Sequence, residues 1–167
     1  MPYWRNFGHL VWATKNREPL IRPAIEGDLY SCLVDKAAEL GCYVHAVNGL
    51  PDHVHVILSI PPKHSVANVV KHLKGNSSHF VNHALPAGPD LFAWQRGYGY
   101  LSLGETQLAR AVAYVENQKQ HHKTNTTNSW LEKIDDEEED DSGPQQPPIG
   151  VIRENQAVYV VDDEIPF

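Results

Sequence analysis

Two histidines one residue apart, His53 and His55, stand in the apolar run Asp52-His53-Val54-His55-Val56-Ile57-Leu58-Ser59-Ile60. The Val- and Ile-rich setting predicts a β-strand, on which side chains alternate faces and residues two apart share one. Both imidazoles then point one way, while Val54 and Val56 turn to the opposite face and can enter a core. Such a pair is a usable half of a metal site. On pattern alone most His-x-His pairs are incidental, so the other half must come from elsewhere in the chain.

A predicted helix farther along carries Tyr114-Val115-Glu116-Asn117-Gln118. Tyr114 and Gln118 are four residues apart and so share a helical face, whereas Glu116 and Asn117 point away from it. A tyrosine hydroxyl can act as a nucleophile. It is protonated near neutral pH, its ordinary pKa being about 10, and a divalent cation would assist it by polarising the phosphate under attack. The Gln118 amide oxygen is a neutral hard ligand that could complete a site begun by His53 and His55. Two imidazoles and one amide oxygen leave positions open for water and a phosphate oxygen. That mixed nitrogen and oxygen set fits Mg²⁺ or Mn²⁺, and Mn²⁺ accepts imidazole more readily.

The elements that must position these groups are legible in outline. Residues from about 4 to 14, with Phe7, Leu10, Val11 and Trp12, read as a first strand that ends at Asn16-Arg17-Glu18-Pro19. Pro23 suits the first turn of a helix carrying Ile25, Leu29, Leu33, Ala37 and Leu40 to a stop at Gly41. A second strand, Cys42–Val47, is followed by the turn-rich Asn48-Gly49-Leu50-Pro51-Asp52 and then the His53–Ile60 strand, which predicts an antiparallel hairpin. Ser65 can cap a second helix reaching about Ala84, weakened in its middle by Gly75. Gly97–Leu103 reads as a fourth strand, and Thr106 as the cap of a third helix running to about Gln120. The order β-α-β-β-α-β-α predicts an α+β fold: a ferredoxin-like antiparallel sheet with helices packed on it and one helix added.

The net charge of −7 is unevenly spread. Residues 1–131 hold 12 Lys and Arg against 9 Asp and Glu, and all ten histidines, whereas residues 132–167 hold 2 against 12. The expected boundary therefore separates a mildly basic domain, residues 1–131, from an acidic, Pro-rich tail, residues 132–167. Within that tail Asp135–Asp141 and Ser142–Pro148 have compositions that resist packing and predict disorder, and Ala157–Val161 could dock as an edge strand. The tail dominates the overall charge, so acidity does not exclude a polyanionic ligand. A tail lying over the basic groove as a mimic of DNA would compete with it. Two cysteines, Cys32 and Cys42, without a CxxC motif or a secretory leader suggest buried thiols in a reducing cytoplasm, and no stretch has the length and apolarity of a membrane span.

Several blocks then match a known pattern in order. They are His9-Leu10-Val11-Trp12-Ala13-Thr14-Lys15, Pro51-Asp52-His53-Val54-His55, Ile60-Pro61-Pro62-Lys63-His64-Ser65-Val66, Leu73-Lys74-Gly75-Asn76-Ser77-Ser78, Trp94-Gln95-Arg96-Gly97-Tyr98-Gly99 and Tyr114-Val115-Glu116-Asn117-Gln118. Together the sequence resembles, over about residues 3–123, the single-tyrosine HUH transposases of small bacterial insertion sequences and their relatives, the REP-associated tyrosine transposases. The resemblance implies cleavage and rejoining of single-stranded DNA through a 5′-phosphotyrosine at Tyr114. It implies a divalent cation, Mg²⁺ or Mn²⁺, held by His53, His55 and Gln118, and no nucleotide cofactor. It further implies recognition of hairpins at element ends, and a cytoplasmic bacterial or archaeal homodimer in which the tyrosine helix of one subunit can complete the histidine pair of the other.

Other residues are read more modestly. Lys63, Lys71 and Lys74 are as well explained by a solvated face as by phosphate contact. Arg96 and Tyr98 could brace or stack on bases in single-stranded DNA, while Trp94 fits core packing better. His121 and His122 read as surface residues or a minor DNA contact, not as a second metal site. The alternative to an enzyme is a domesticated, noncatalytic nucleic-acid-binding module or repressor on the same fold.

Overall fold

The computed structural model describes residues 3–86, 88–127 and 132. Four strands, β1 (Phe7–Ala13), β2 (Tyr43–Leu50), β3 (His53–Ser59) and β4 (Gly99–Leu103), form one antiparallel sheet in the order β2-β3-β1-β4. The helices are α1 (Pro23–Glu39), α2 (Val66–Ala84), α3 (Glu105–Glu116) and α4 (Gln118–Thr124). This is the ferredoxin-like α+β arrangement expected from the element order. None of these helices is long and apolar enough to cross a membrane. The acidic stretch and the expected edge strand at Ala157–Val161 lie outside the described residues.

Every residue of β1 and of β3 is buried, because helices cover both faces of the sheet's centre. On one face Leu10, Trp12, Val54, Val56 and Leu58 pack with Leu33 and Ala37 of α1 and with Val69, Val70 and Leu73 of α2. On the other, Ile57 and Ala46 meet Ala111 and Val115 of α3, with Leu108 and Val112 at the margin. Those α3 positions recur at helical spacing, so a single apolar stripe docks the helix. Burying each aliphatic side chain of that size stabilises by roughly 1.5–3 kcal/mol. Cross-strand partners share a face, and the register pairs His55 with Val11 and His53 with Ala13. The two histidines therefore lie on the α3 side, with Val54 and Val56 in the core beneath.

The ends of the elements differ from the expectations in three places. β2 continues through Asn48 and Gly49 to Leu50, so the hairpin turn is only Pro51 and Asp52. Gly49 permits this: a Cβ there would lie 2.2 Å from the His53 carbonyl oxygen, a distance no side chain tolerates. The cap of α3 is Gly104, whose N–H donates to Gln107 Oε1 at 3.0 Å, and Thr106 is inside the helix. The expected single helix to Gln120 breaks at Asn117, which leaves helical geometry at φ −95° and ψ 14°. Ser65 does cap α2, its Oγ accepting from the Asn68 N–H at 3.2 Å.

Gly49 and Gly75 should respond to substitution in opposite ways. Gly49→Ala forces β2 and β3 apart and should cost roughly 2 kcal/mol or more. Gly75, exposed in the middle of α2 with open space around its Cα, should gain about 0.5–1 kcal/mol as alanine. Urea unfolding of both variants measures the pair, and a neutral Gly49→Ala would refute the close-approach account.

Candidate active site

The His53 and His55 rings are each turned by a partner on their inner nitrogen. His53 Nδ1 lies 2.7 Å from Asp52 Oδ1, and His55 Nδ1 lies 2.8 Å from His9 Nε2. His9 sits on β1 on the same face of the sheet, its ring stacked on that of His55 with centroids 5.0 Å apart. Burial first, and then the neighbouring His55, lower the His9 pKa to about 3, so His9 is neutral. With their inner nitrogens engaged, both rings turn Nε2 toward the same Glu132 oxygen. This is the carboxylate–histidine arrangement that fixes a metal ligand's tautomer and direction.

The helical half is built by Asn48. On β2 opposite His55, it donates through Nδ2 to the carbonyls of Val115 and Glu116, both at 3.0 Å. Taking up two carbonyls at the end of α3 satisfies groups a helix end leaves open. Asn117 adds to the break through its own Nδ2, which donates to the Ala113 carbonyl at 2.8 Å. The chain then restarts as α4 with Gln118 wholly buried. Tyr114 and Gln118 therefore belong to two helices rather than one face of a single helix, yet both reach the histidine side. His122, four residues after Gln118, shares the inward face of α4, and its ring centroid lies 5.2 Å from that of His53. His121 stacks on Tyr114, with centroids 4.6 Å apart.

Glu132 joins the two halves. Its Oε1 accepts from the Tyr114 hydroxyl and from Gln118 Nε2, each at 2.7 Å. Its Oε2 lies 3.3 Å from His55 Nε2 and 3.5 Å from both His53 Nε2 and His122 Nε2. Burial pushes the Glu132 carboxyl up, but the histidines and Gln118 together outweigh it and hold it well below the usual carboxylate range. Burial lowers His53, but Glu132 and Asp52 more than restore it and raise its pKa. Tyr114 thus approaches the histidine pair of its own chain.

The buried donor set fits a divalent cation. Among the described residues, His53 Nε2, His55 Nε2, His122 Nε2 and Gln118 Oε1 are buried without a hydrogen-bond partner. Leaving such groups unpaired costs about 1–3 kcal/mol each, and the three imidazole nitrogens among them face one Glu132 oxygen. His53, His122 and Glu132 each offer a ligand atom, all within 4.8 Å of one another.

The expected DNA contacts are dispersed. Lys63, Lys71 and Arg96 are exposed. Lys74 is engaged within the fold, its Nζ donating to the carbonyls of Gln95 at 2.6 Å and Gly97 at 2.9 Å, which ties the approach to β4 onto α2. Tyr98 packs against the main core. Trp94 packs edge-on against Trp12 and donates from Nε1 to Ser77 Oγ at 2.9 Å, as core packing requires. Cys32 and Cys42 are buried free thiols. His9, Asn48 and Glu132 are site residues to which sequence reasoning gave no role, and His122 is one that it read as a surface residue or a minor DNA contact. The spacing of Gln118 and His122 was the available signal; Glu132 had none, lying beyond the charge-based boundary at 131.

The family described as "Transposase IS200 like" matches residues 3–118. The ISDra2 transposase TnpA of Deinococcus radiodurans is 33% identical over 116 residues, covering 66% of this chain and 81% of that protein. Among solved structures, a putative transposase from the same organism superposes with a TM-score of 0.57 at 31% identity, covering 70% of this chain and 93% of the other. A REP-associated tyrosine transposase bound to a REP hairpin shares the fold, with a TM-score of 0.56 at 15% identity over 78% of this chain and 73% of that one.

Asn48→Ala leaves the two carbonyls at the break without their donor and should lower stability by about 1–3 kcal/mol. Asn68→Ala, an exposed change on α2, should stay within about 0.5 kcal/mol. Thermal unfolding of the two variants tests the assignment; equal melting temperatures would contradict it.

Proposed function

Because this chain belongs to the IS200-like transposase family of DNA-processing enzymes, we propose that it cleaves and rejoins single-stranded DNA, with Tyr114 as the nucleophile. The observation that carries the reading is the convergence of the Tyr114 hydroxyl, through Glu132, on the Nε2 atoms of His53 and His55. The Tyr114 oxygen gives up its proton to solvent and attacks a backbone phosphorus, an oxygen–phosphorus bond to the tyrosine forms, and the bond to the 3′ oxygen breaks. The leaving oxygen takes a proton to become a free 3′-hydroxyl, and the 5′ side stays attached to the protein. The reverse attack by a 3′-hydroxyl rejoins a strand. Phosphodiester energy is kept in the link, so no nucleotide cofactor is needed.

His53, His55 and the Gln118 amide oxygen would hold Mg²⁺ or Mn²⁺, which polarises the phosphate and stabilises charge in the transition state when bound. Asp52 and His9 orient the imidazoles from behind, and Asn48 sets the height of the tyrosine helix over the sheet. The proposed substrate class is single strands carrying hairpins, a reading supported by the family and by a structural neighbour bound to a REP hairpin. Residues 1–131 form the proposed transposase domain. Lys63, Lys71, Lys74, Arg96 and Tyr98 remain proposed contacts, Lys74 and Tyr98 acting through the loop they brace. A homodimer is part of the reading. The resemblance implies sites shared between subunits, whereas the within-chain contact of Tyr114 with the histidines through Glu132 supports each chain bringing its own tyrosine to its own histidines.

Incubating the protein with labelled hairpin-bearing single strands and Mn²⁺ should yield a covalent adduct that resists denaturation. Tyr114→Phe should abolish the adduct, at least about 10³-fold by the scale of losing a catalytic nucleophile, and should leave DNA binding intact. Binding without any adduct across such substrates would instead indicate a noncatalytic module.

A further inference from the structure

We propose that His122 and Glu132 are ligands of the same divalent cation as His53, His55 and Gln118, so that a third imidazole and a carboxylate join that set. The inference rests on the proposed function for the presence of a cation, and extends it to two residues outside the His-x-His and Gln118 set. Three observations carry it. First, three imidazole nitrogens face one carboxylate oxygen at 3.3, 3.5 and 3.5 Å. Neighbouring ligands on an ion with bonds of about 2.1 Å lie about 3.0–3.4 Å apart, so these separations fit vertices around a shared centre. They exceed the 2.7–2.9 Å expected of a charge-assisted hydrogen bond.

Second, of the buried polar side-chain atoms without a partner among the described residues, four of five belong to this cluster. Unpaired lone pairs cost free energy singly, and grouping them repeats that cost unless a cation answers them together. Third, the rings are aimed. Asp52 and His9 engage the inner nitrogens of His53 and His55, which turns both Nε2 atoms toward Glu132 Oε2.

Glu132 then has two tasks. Oε2 closes the ligand set, and Oε1 holds the Tyr114 hydroxyl at 2.7 Å, which places the nucleophile next to the ion. Gln118 Nε2 donates to the same Oε1, which holds the Gln118 amide beside the carboxylate.

Mn²⁺ binding to the full chain, followed by calorimetry and by loss of the free-ion electron paramagnetic signal, tests the assignment without any catalytic readout. Glu132→Gln and His122→Gln should each weaken Mn²⁺ at least about tenfold, the lower bound for disturbing a metal's surroundings. His55→Ala should do so more strongly, and the exposed Lys123→Ala should match wild type. Circular dichroism confirms that each variant is folded, and the half-exposed His122 serves where Glu132→Gln is not. Tyr114→Phe should keep Mn²⁺ affinity within about threefold, so loss of the adduct there reports on the nucleophile and not on the ligands. Wild-type affinity in both the Glu132 and His122 variants would overturn the proposal. So would tighter binding in Glu132→Gln, which would mark the carboxylate as a plug, and so would a wild-type chain that binds no Mn²⁺.

Discussion

A strand buried on both faces has no freedom of register, and the rest of the site depends on that constraint in β3. Val54, Val56 and Leu58 are fixed in the core between the sheet and α1 and α2. The alternation of the pleat then forces His53 and His55 to the other side. A slip of one residue would bury both imidazoles among aliphatic side chains and turn the valines into the polar cluster beside α3, which neither face can accept. The two-residue turn at Pro51–Asp52 and the close approach at Gly49 hold the same register from the hairpin end. Asp52 has a second part there, since its carboxylate orients His53.

The other half of the site has to be brought to this fixed pair, and the chain does so by interrupting a helix. An unbroken helix would carry Gln118 and His122 onward along the axis of α3. The break at Asn117, supported by Asn48 from the sheet, redirects them inward. The strand that carries the histidines' neighbours therefore also sets the position of the tyrosine. Glu132 links the two halves with one carboxylate, one oxygen facing the histidine nitrogens and the other accepting from the Tyr114 hydroxyl.

Most of the architecture was legible because period and punctuation agree: strand alternation, the Pro23 start of α1, the Ser65 cap and the Gly41 stop all coincide with the observed elements. The extension of β2 was hidden because Asn48, Gly49 and Leu50 have turn composition, while their conformation is decided by pairing with β3. The helix break was hidden for a similar reason, since the amide of Asn48, distant in sequence, takes the carbonyls of α3. His53, His55, Tyr114 and Gln118 could be picked from local spacing. His9 could not, because its partner His55 is 46 residues away. Glu132 could not either, since a single acid beside an acidic block looks like part of that block.

The central claim is that one chain carries a complete site, its own tyrosine meeting its own histidines. Coexpressing Tyr114→Phe chains with His55→Ala chains and measuring the covalent DNA adduct tests it most directly. A site completed within one chain predicts no adduct from the mixture beyond that of either variant alone. Recovery toward the wild-type yield would mean that the tyrosine of one subunit serves the histidines of another, and would contradict it.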